Sequence, residues 1–166
     1  MINTNARGIL LVTILAFAVT ACSQQTGDKA AAEAKAEAGT TPTQPAGLPR
    51  TASVEGAGVF FISPEDGDTL TNPITVEFGI KGMDVIKAGE NAPHSGHHHL
   101  IIDAGLPELG LPIPADEHYV HFGDASTSTE LILAPGTHSL RLLLGDYLHI
   151  PHEPPIMSDA ITVTVE

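Results

Sequence analysis

Tryptophan is absent from this 166-residue chain, and five phenylalanines and two tyrosines are its only other large aromatics. Its core must therefore be built from aliphatic side chains. There is one cysteine, Cys22, which excludes an intrachain disulfide and any zinc site built on several thiolates. Bases are scarce: 7 Lys and Arg stand against 20 Asp and Glu, a formal net charge of −13. Such a surface repels phosphate backbones and anionic headgroups, so nucleic acid is not expected as a partner. Also missing are a Gly-x-Ser-x-Gly elbow, a phosphate-binding glycine loop and an HExxH helix, which removes the familiar motif-based routes to catalysis. The chain is expected not to be an enzyme.

The ends set the expected location. Arg7 provides a short positive region, Gly8 to Val19 is apolar but too short to span a bilayer, and Val19-Thr20-Ala21-Cys22 follows. This resembles a bacterial lipobox, which implies that residues 1–21 are a signal peptide and that Cys22 is lipidated and anchors the chain in a membrane. Ser23 after the cysteine points to the outer membrane, with the protein facing the periplasm. With its thiol committed to lipid, Cys22 is not free for a blue-copper centre. Residues 22–57 are rich in Ala, Glu, Gln, Thr and Pro, have no apolar face to bury, and read as a disordered tether. Residues 58–166 read as one domain.

Within that domain apolar residues alternate at period two, which predicts strands at 58–62, 74–81, 97–103, 118–122, 129–134, 138–145 and 156–165. Turn chemistry at Pro64-Glu65-Asp66-Gly67-Asp68 and Ala134-Pro135-Gly136 separates them. Seven short strands imply an all-β, immunoglobulin-like sandwich. Lettered A to G in order, their B-C and F-G connections lie at one rim.

What the chain has in abundance is histidine: nine, all beyond Pro93, four of them in His94-Ser95-Gly96-His97-His98-His99. Neutral imidazole is the commonest protein ligand for zinc and copper. Successive side chains of a strand point to opposite faces. His98 then shares the core side with Leu100 and Ile102 and is structural, while His97 and His99 stand together on the exposed face, about 6 to 7 Å apart at Cα. His149-Ile150-Pro151-His152 in the F-G connection offers a second pair. The expected metal ligands are His97, His99, His149 and His152, with His94 and His121 as additional or outer groups. His138, in a row with Leu140 and Leu142, is read as a structural residue at the E-F corner, and His118 is placed at the far end. Met83 and Met157 fall near the rim and are soft donors, though methionine is more often a gap-filler. Glu65-Asp66-Gly67-Asp68 lacks the spacing of a calcium loop and reads as a turn.

Four stretches, His97-His98-His99-Leu100-Ile101-Ile102-Asp103, His121-Phe122-Gly123, Leu133-Ala134-Pro135-Gly136-Thr137-His138-Ser139-Leu140 and His149-Ile150-Pro151-His152-Glu153-Pro154-Pro155, make the region from about Phe60 to Val165 resemble a bacterial domain family of unknown function, found in secreted and lipid-anchored proteins. The resemblance implies a recurrent architecture and carries no activity with it. The expected function is a lipid-anchored envelope domain that binds one copper or zinc ion per chain at a histidine-rich rim. Two alternatives stand beside it: an envelope interaction module whose histidines brace loops, and a metal-dependent hydrolase with Glu153 or Asp124 as base.

Overall fold

The computed structural model describes residues 47–166, so the expected signal peptide, Cys22 and the Ala/Glu-rich stretch of the expected tether lie outside the described residues. Among the described residues there is no helix. The strands are β1 (Gly58–Ser63), β2 (Thr69–Leu70), β3 (Ile74–Lys81), β4 (Asp84–Val85), β5 (Ser95–Ile102), β6 (Tyr119–His121), β7 (Ser128–Leu131), β8 (Gly136–Gly145) and β9 (Ile161–Val165). They form two sheets, ordered β1-β3-β7 and β2-β9-β8-β5-β4, with β6 also paired to β5. The fold is an all-β sandwich. In the lettering above, A-B-E faces G-F-C, as in immunoglobulin-like sandwiches, but the strand expected as D joins C.

Among the described residues nine strands replace the seven expected. The two extra ones, β2 and β4, are two residues each and pair in parallel with β9 and β5, too short to leave a period-two signature. The last strand starts at Ile161 rather than at 156, because the chain at Met157 touches β8 only through a single bridge to Leu143.

Alternation builds the core. In β3, Ile74, Val76 and Phe78 turn inward while Thr75 and Glu77 face water. Leu140, Leu142 and Leu144 of β8 and Leu100 and Ile102 of β5 meet them from the other sheet. Each such buried side chain contributes about 1.5–3 kcal/mol. Strand β5 departs from the expectation of one wet face, since all eight of its residues are buried. The second face is covered by the 104–118 segment, through Ile113 packed on Ile101 and Leu143, and by the turn that follows β8.

The tether also ends earlier than composition implied. Residues 47–57 lie against the domain: Leu48 N–H donates to Gly110 O, Ser53 N–H donates to Glu153 O and Glu153 N–H to Thr51 O across a parallel Ala52–Glu153 bridge, and Val54 and Ala57 pack on the core. Low hydrophobicity hid this, because the segment is held chiefly by backbone and polar contacts.

At the opposite end from the β4–β5 junction, Asp103 follows β5 in the left-handed region (φ 51°) and receives Ser139 N–H and His138 Nδ1 at 2.7 and 2.6 Å. His138 Nε2 faces Ala134 O at 2.8 Å. Both partners of the ring are acceptors, so the geometry calls for an imidazolium. The hydrogen bond to Asp103 raises the His138 pKa, aided by that to Ala134. Burial alone would raise the Asp103 carboxyl, but its bonds to His138 and Ser139 outweigh that and hold it below its usual range. A raised histidine pKa gives stability that is fully present below about 6.5 and lost as pH rises through the folded value. His138→Ala is therefore expected to cost about 1 kcal/mol near pH 6, the exposed carboxylate being partly screened, and less near pH 9. Urea unfolding of both proteins at the two pH values measures this; an equal loss at both would refute the charged pair.

Candidate metal centre

Three consecutive histidines on a strand cannot share a face. His98 points with Leu100 and Ile102 into the core, its ring edge-on to Phe78 at 4.7 Å between centroids and both nitrogens buried without a partner. His97 and His99 point the other way. The structure corrects their expected exposure: both are 0% exposed, beneath the covering segments just described.

Two further elements bring histidines to this second face. Antiparallel pairing places His121 of β6 directly opposite His99. After β8 the turn from Asp146 to Ile150 carries His149, at φ 65°. Asp146, itself buried, shapes that turn: its Oδ1 accepts the N–H groups of Leu148 and Ile150, each at 2.9 Å, and its carbonyl accepts that of His149. Ile113 N–H holds the His149 carbonyl from the other side at 2.8 Å.

The four rings form a box. Centroids lie 4.9 Å apart for His97–His99 and His97–His121, 4.8 Å for His97–His149, 5.0 Å for His99–His121 and 4.7 Å for His121–His149; His99–His149 is longer, 6.0 Å. An ion bound tetrahedrally by four imidazoles at 2.0–2.1 Å spaces its ring centroids about 5 Å apart. The nitrogen atoms are stricter than the ring centres. His97, His99 and His121 each bring a ligand atom within 4.8 Å of the others, and these three are close enough to hold a metal ion. His149 is outside that set, so its ring must turn to complete a fourth position.

Glycine makes the room. A Cβ on Gly145 would sit 2.9 Å from His99 Nε2, and one on Gly123 only 2.4 Å from His121 Cε1. Nε2 of His97 and of His99 face each other at 3.1 Å, where a single proton can satisfy only one lone pair. Nδ1 of both rings and Nε2 of His121 are buried with no protein partner. Burial pushes His97 down to about 4 and His99 to about 2, reinforced by the neighbouring imidazoles, with Asp146 opposing the shift at His97. Burial lowers His121 too, helped by His149 and opposed by Asp124. All three rings are neutral at pH 7, the form that coordinates metal.

The remaining sequence candidates lie elsewhere. His152 is separated from His149: its Nε2 faces Ser95 O at 3.2 Å and its Nδ1 Leu144 O at 3.5 Å, in full burial. His149 sits in the left-handed turn after β8, and the chain reverses direction before His152, which enters the interior beside Ser95 and Leu144. His94 is exposed at φ 55° just before β5, its carbonyl accepting Asp84 N–H. His118 bonds Ile102 O beyond the other end of β5. Met83 belongs to the inter-sheet core, and Met157 lines a groove with Val59 and Phe61. Glu153 pairs with Arg50, and Asp124 accepts Ser126 N–H. Asp68 and Asp66 accept the N–H groups of Glu65 and Thr162, so residues 65–68 form a turn. The sequence undervalued His121, whose part depends on strand register, and missed Asp146; Gly123 two residues after His121 was the available hint.

A protein-family model described as "Domain of unknown function (DUF4399)" matches residues 76–166, more than half of the chain. No curated protein and no solved structure matches it.

Lowered histidine pKa values have a consequence for the metal-free domain. Above about pH 6.5 these rings are neutral whether folded or not, and stability does not depend on them. Between 6.5 and about 4 the unfolded chain takes up protons that folded His97, His98 and His99 refuse. Each then costs up to about 1.4 kcal/mol per pH unit. The urea midpoint is expected to fall steeply from pH 6.5 to 5 in chelator; a flat profile would mean the folded cluster accepts protons.

Proposed function

The chain belongs to the DUF4399 family, whose description assigns no activity, and from its own geometry we propose a transition-metal-binding domain of the cell envelope. One copper or zinc ion per chain is held by His97, His99 and His121, with His149 turning in as fourth ligand. The observation that carries this reading is the convergence of three imidazoles from two strands, ligand atoms within 4.8 Å, in a buried face where their remaining nitrogens find no protein acceptor. An all-nitrogen set suits zinc and copper and is wrong for calcium or magnesium, which take oxygen. The lipobox at Cys22 supports attachment to a membrane, with the outer membrane as destination.

The competing reading, histidines that only brace loops, describes His118, His138 and His152 well, since their ring nitrogens face carbonyl or carboxylate oxygens. It does not describe the cluster, whose rings face each other. Of the two bases named for a hydrolase, Glu153 pairs with Arg50 and Asp124 accepts from Ser126, and we prefer binding to turnover.

Titration of the untagged full chain with zinc and with cupric ion is expected to give one ion per chain. Affinity should hold as pH drops through about 6.5 and weaken only well below it, since burial in the folded domain lowers His97 to about 4 and lowers His99 and His121 as well. Saturation at 100 times Kd should raise stability by about 2.7 kcal/mol. His97→Ala/His99→Ala should abolish both effects, and Gly145→Ala should weaken them by crowding the His99 ring. His152→Ala and His94→Ala, away from the box, should leave affinity within about twofold. Stoichiometric binding that survives the double substitution would leave the bracing module as the better account. Separately, Cys22→Ser is expected to move the protein from the membrane fraction to the soluble one; continued sedimentation with membranes would remove the lipid anchor.

A further inference from the structure

The turn that carries His149 is gripped from outside the sandwich. Thr51 Oγ1 donates to Asp146 Oδ2 at 2.7 Å, the one oxygen of that buried carboxylate not used by the turn's own N–H groups. The neighbouring Arg50 spreads over the next stretch: its Nε donates to Pro151 O at 2.8 Å, Nη2 to His152 O and Nη1 to the Glu153 carboxylate. Backbone bonds from Ser53 N–H to Glu153 O and from Glu153 N–H to Thr51 O close the contact at 3.0 and 2.9 Å. Residues 48–54 thus form a strap that fastens residues 146–153 from the N-terminal side.

We infer that this strap is a working part of the metal site, with Thr51 as the positioning residue that sets His149 through Asp146 and Arg50 fastening the strap to residues 151–153. The inference rests on the metal reading above. Asp146 has two tasks at once: one oxygen fixes the turn at Leu148 and Ile150, the other is anchored by Thr51. Removing the anchor leaves a buried carboxylate oxygen unpartnered and frees the turn to rotate, and with it the His149 ring. His97, His99 and His121 depend on strand register alone and are unaffected. The coupling is reciprocal by linkage: whatever holds His149 in place for the ion is held more firmly once the ion is there. Metal occupancy is thereby transmitted to the point where the chain arrives from its N-terminal segment.

Arg50 supplies its own reporter, being the only lysine or arginine between Lys35 and Lys81. Its side chain is 15% exposed in the clamp, so trypsin reaches the Arg50–Thr51 bond only when the strap lifts. The full chain should be digested with and without a saturating zinc buffer, cleavage of an added unstructured peptide serving as reference for protease activity. Zinc is expected to slow the Arg50 cut several-fold. Thr51→Val should speed that cut, move the His149 ring resonances in NMR spectra, and weaken zinc about tenfold, the scale typical of residues that orient metal ligands. Asn72→Ala, which loses two hydrogen bonds to Leu133 near the other sheet, is the control for general destabilisation and should leave zinc affinity unchanged. Zinc bound by the wild type with equal strength in Thr51→Val, and an Arg50 cut indifferent to zinc, would overturn the inference. Should the wild type bind no zinc, the metal reading falls by itself; the strap is then judged without metal, and an unchanged Arg50 cut and unmoved His149 resonances in Thr51→Val overturn it as well.

Discussion

Because β5 runs through the interior of its sheet with both faces covered, its three consecutive histidines have no side on which to reach water. Alternation assigns His98 to one buried face and His97 and His99 to the other, and the rest of the domain is arranged around that division. The inter-sheet core receives His98 among leucines, valines and Phe78. The second face needs a roof, which the 104–118 segment and the Asp146–Ile150 turn provide, and the roof brings His149 with it. A buried imidazole without partners costs about 1–3 kcal/mol for each unsatisfied polar atom, so the arrangement must be compensated elsewhere.

Compensation divides the histidines. His138 and His152 place both ring nitrogens near backbone or carboxylate oxygens, as structural histidines do. His98 has only its edge contact with Phe78, a weak substitute. In the box, Nε2 meets Nε2, and lone pairs aimed at one another are resolved by a shared proton or by a shared cation. One proton serves one pair of rings, whereas one ion serves three or four. That count is why the box supports a metal reading more strongly than the mere number of histidines does.

Much of the fold was legible in the residues. Period-two alternation located every strand of more than three residues, and the division of His98 from His97 and His99 followed from strand geometry alone. Three things were not legible. The covering of the second face depends on the 104–118 segment, whose prolines and glycines carry no periodic signal. The pairing of His99 with His121 is a matter of register, set by neighbours far off in sequence. Residues 47–57 look like tether because their hold on the domain lies in backbone bonds and in Arg50 and Thr51, which hydrophobicity does not register. His152 misled for a simpler reason: nearness to His149 in sequence matters less than the turn between them, in which His149 takes a left-handed φ of 65°.

The ligand set also bears on what an ion there would do. Imidazoles are neutral, so an ion held by His97, His99 and His121 would keep its full charge in a buried place and could act there as a Lewis acid. The nearest buried carboxylate, Asp146, has its oxygens taken by Leu148, Ile150 and Thr51, and so offers attraction at a distance rather than a bond. With His149 turned in, the four imidazoles would fill the coordination sphere of an ion and favour storage; with His149 turned out, a position would stay open to solvent. The choice between holding and reacting would therefore rest less on the three strand-borne histidines than on the stiffness of one five-residue turn, whose Asp146 carboxylate is bonded to Leu148, Ile150 and Thr51.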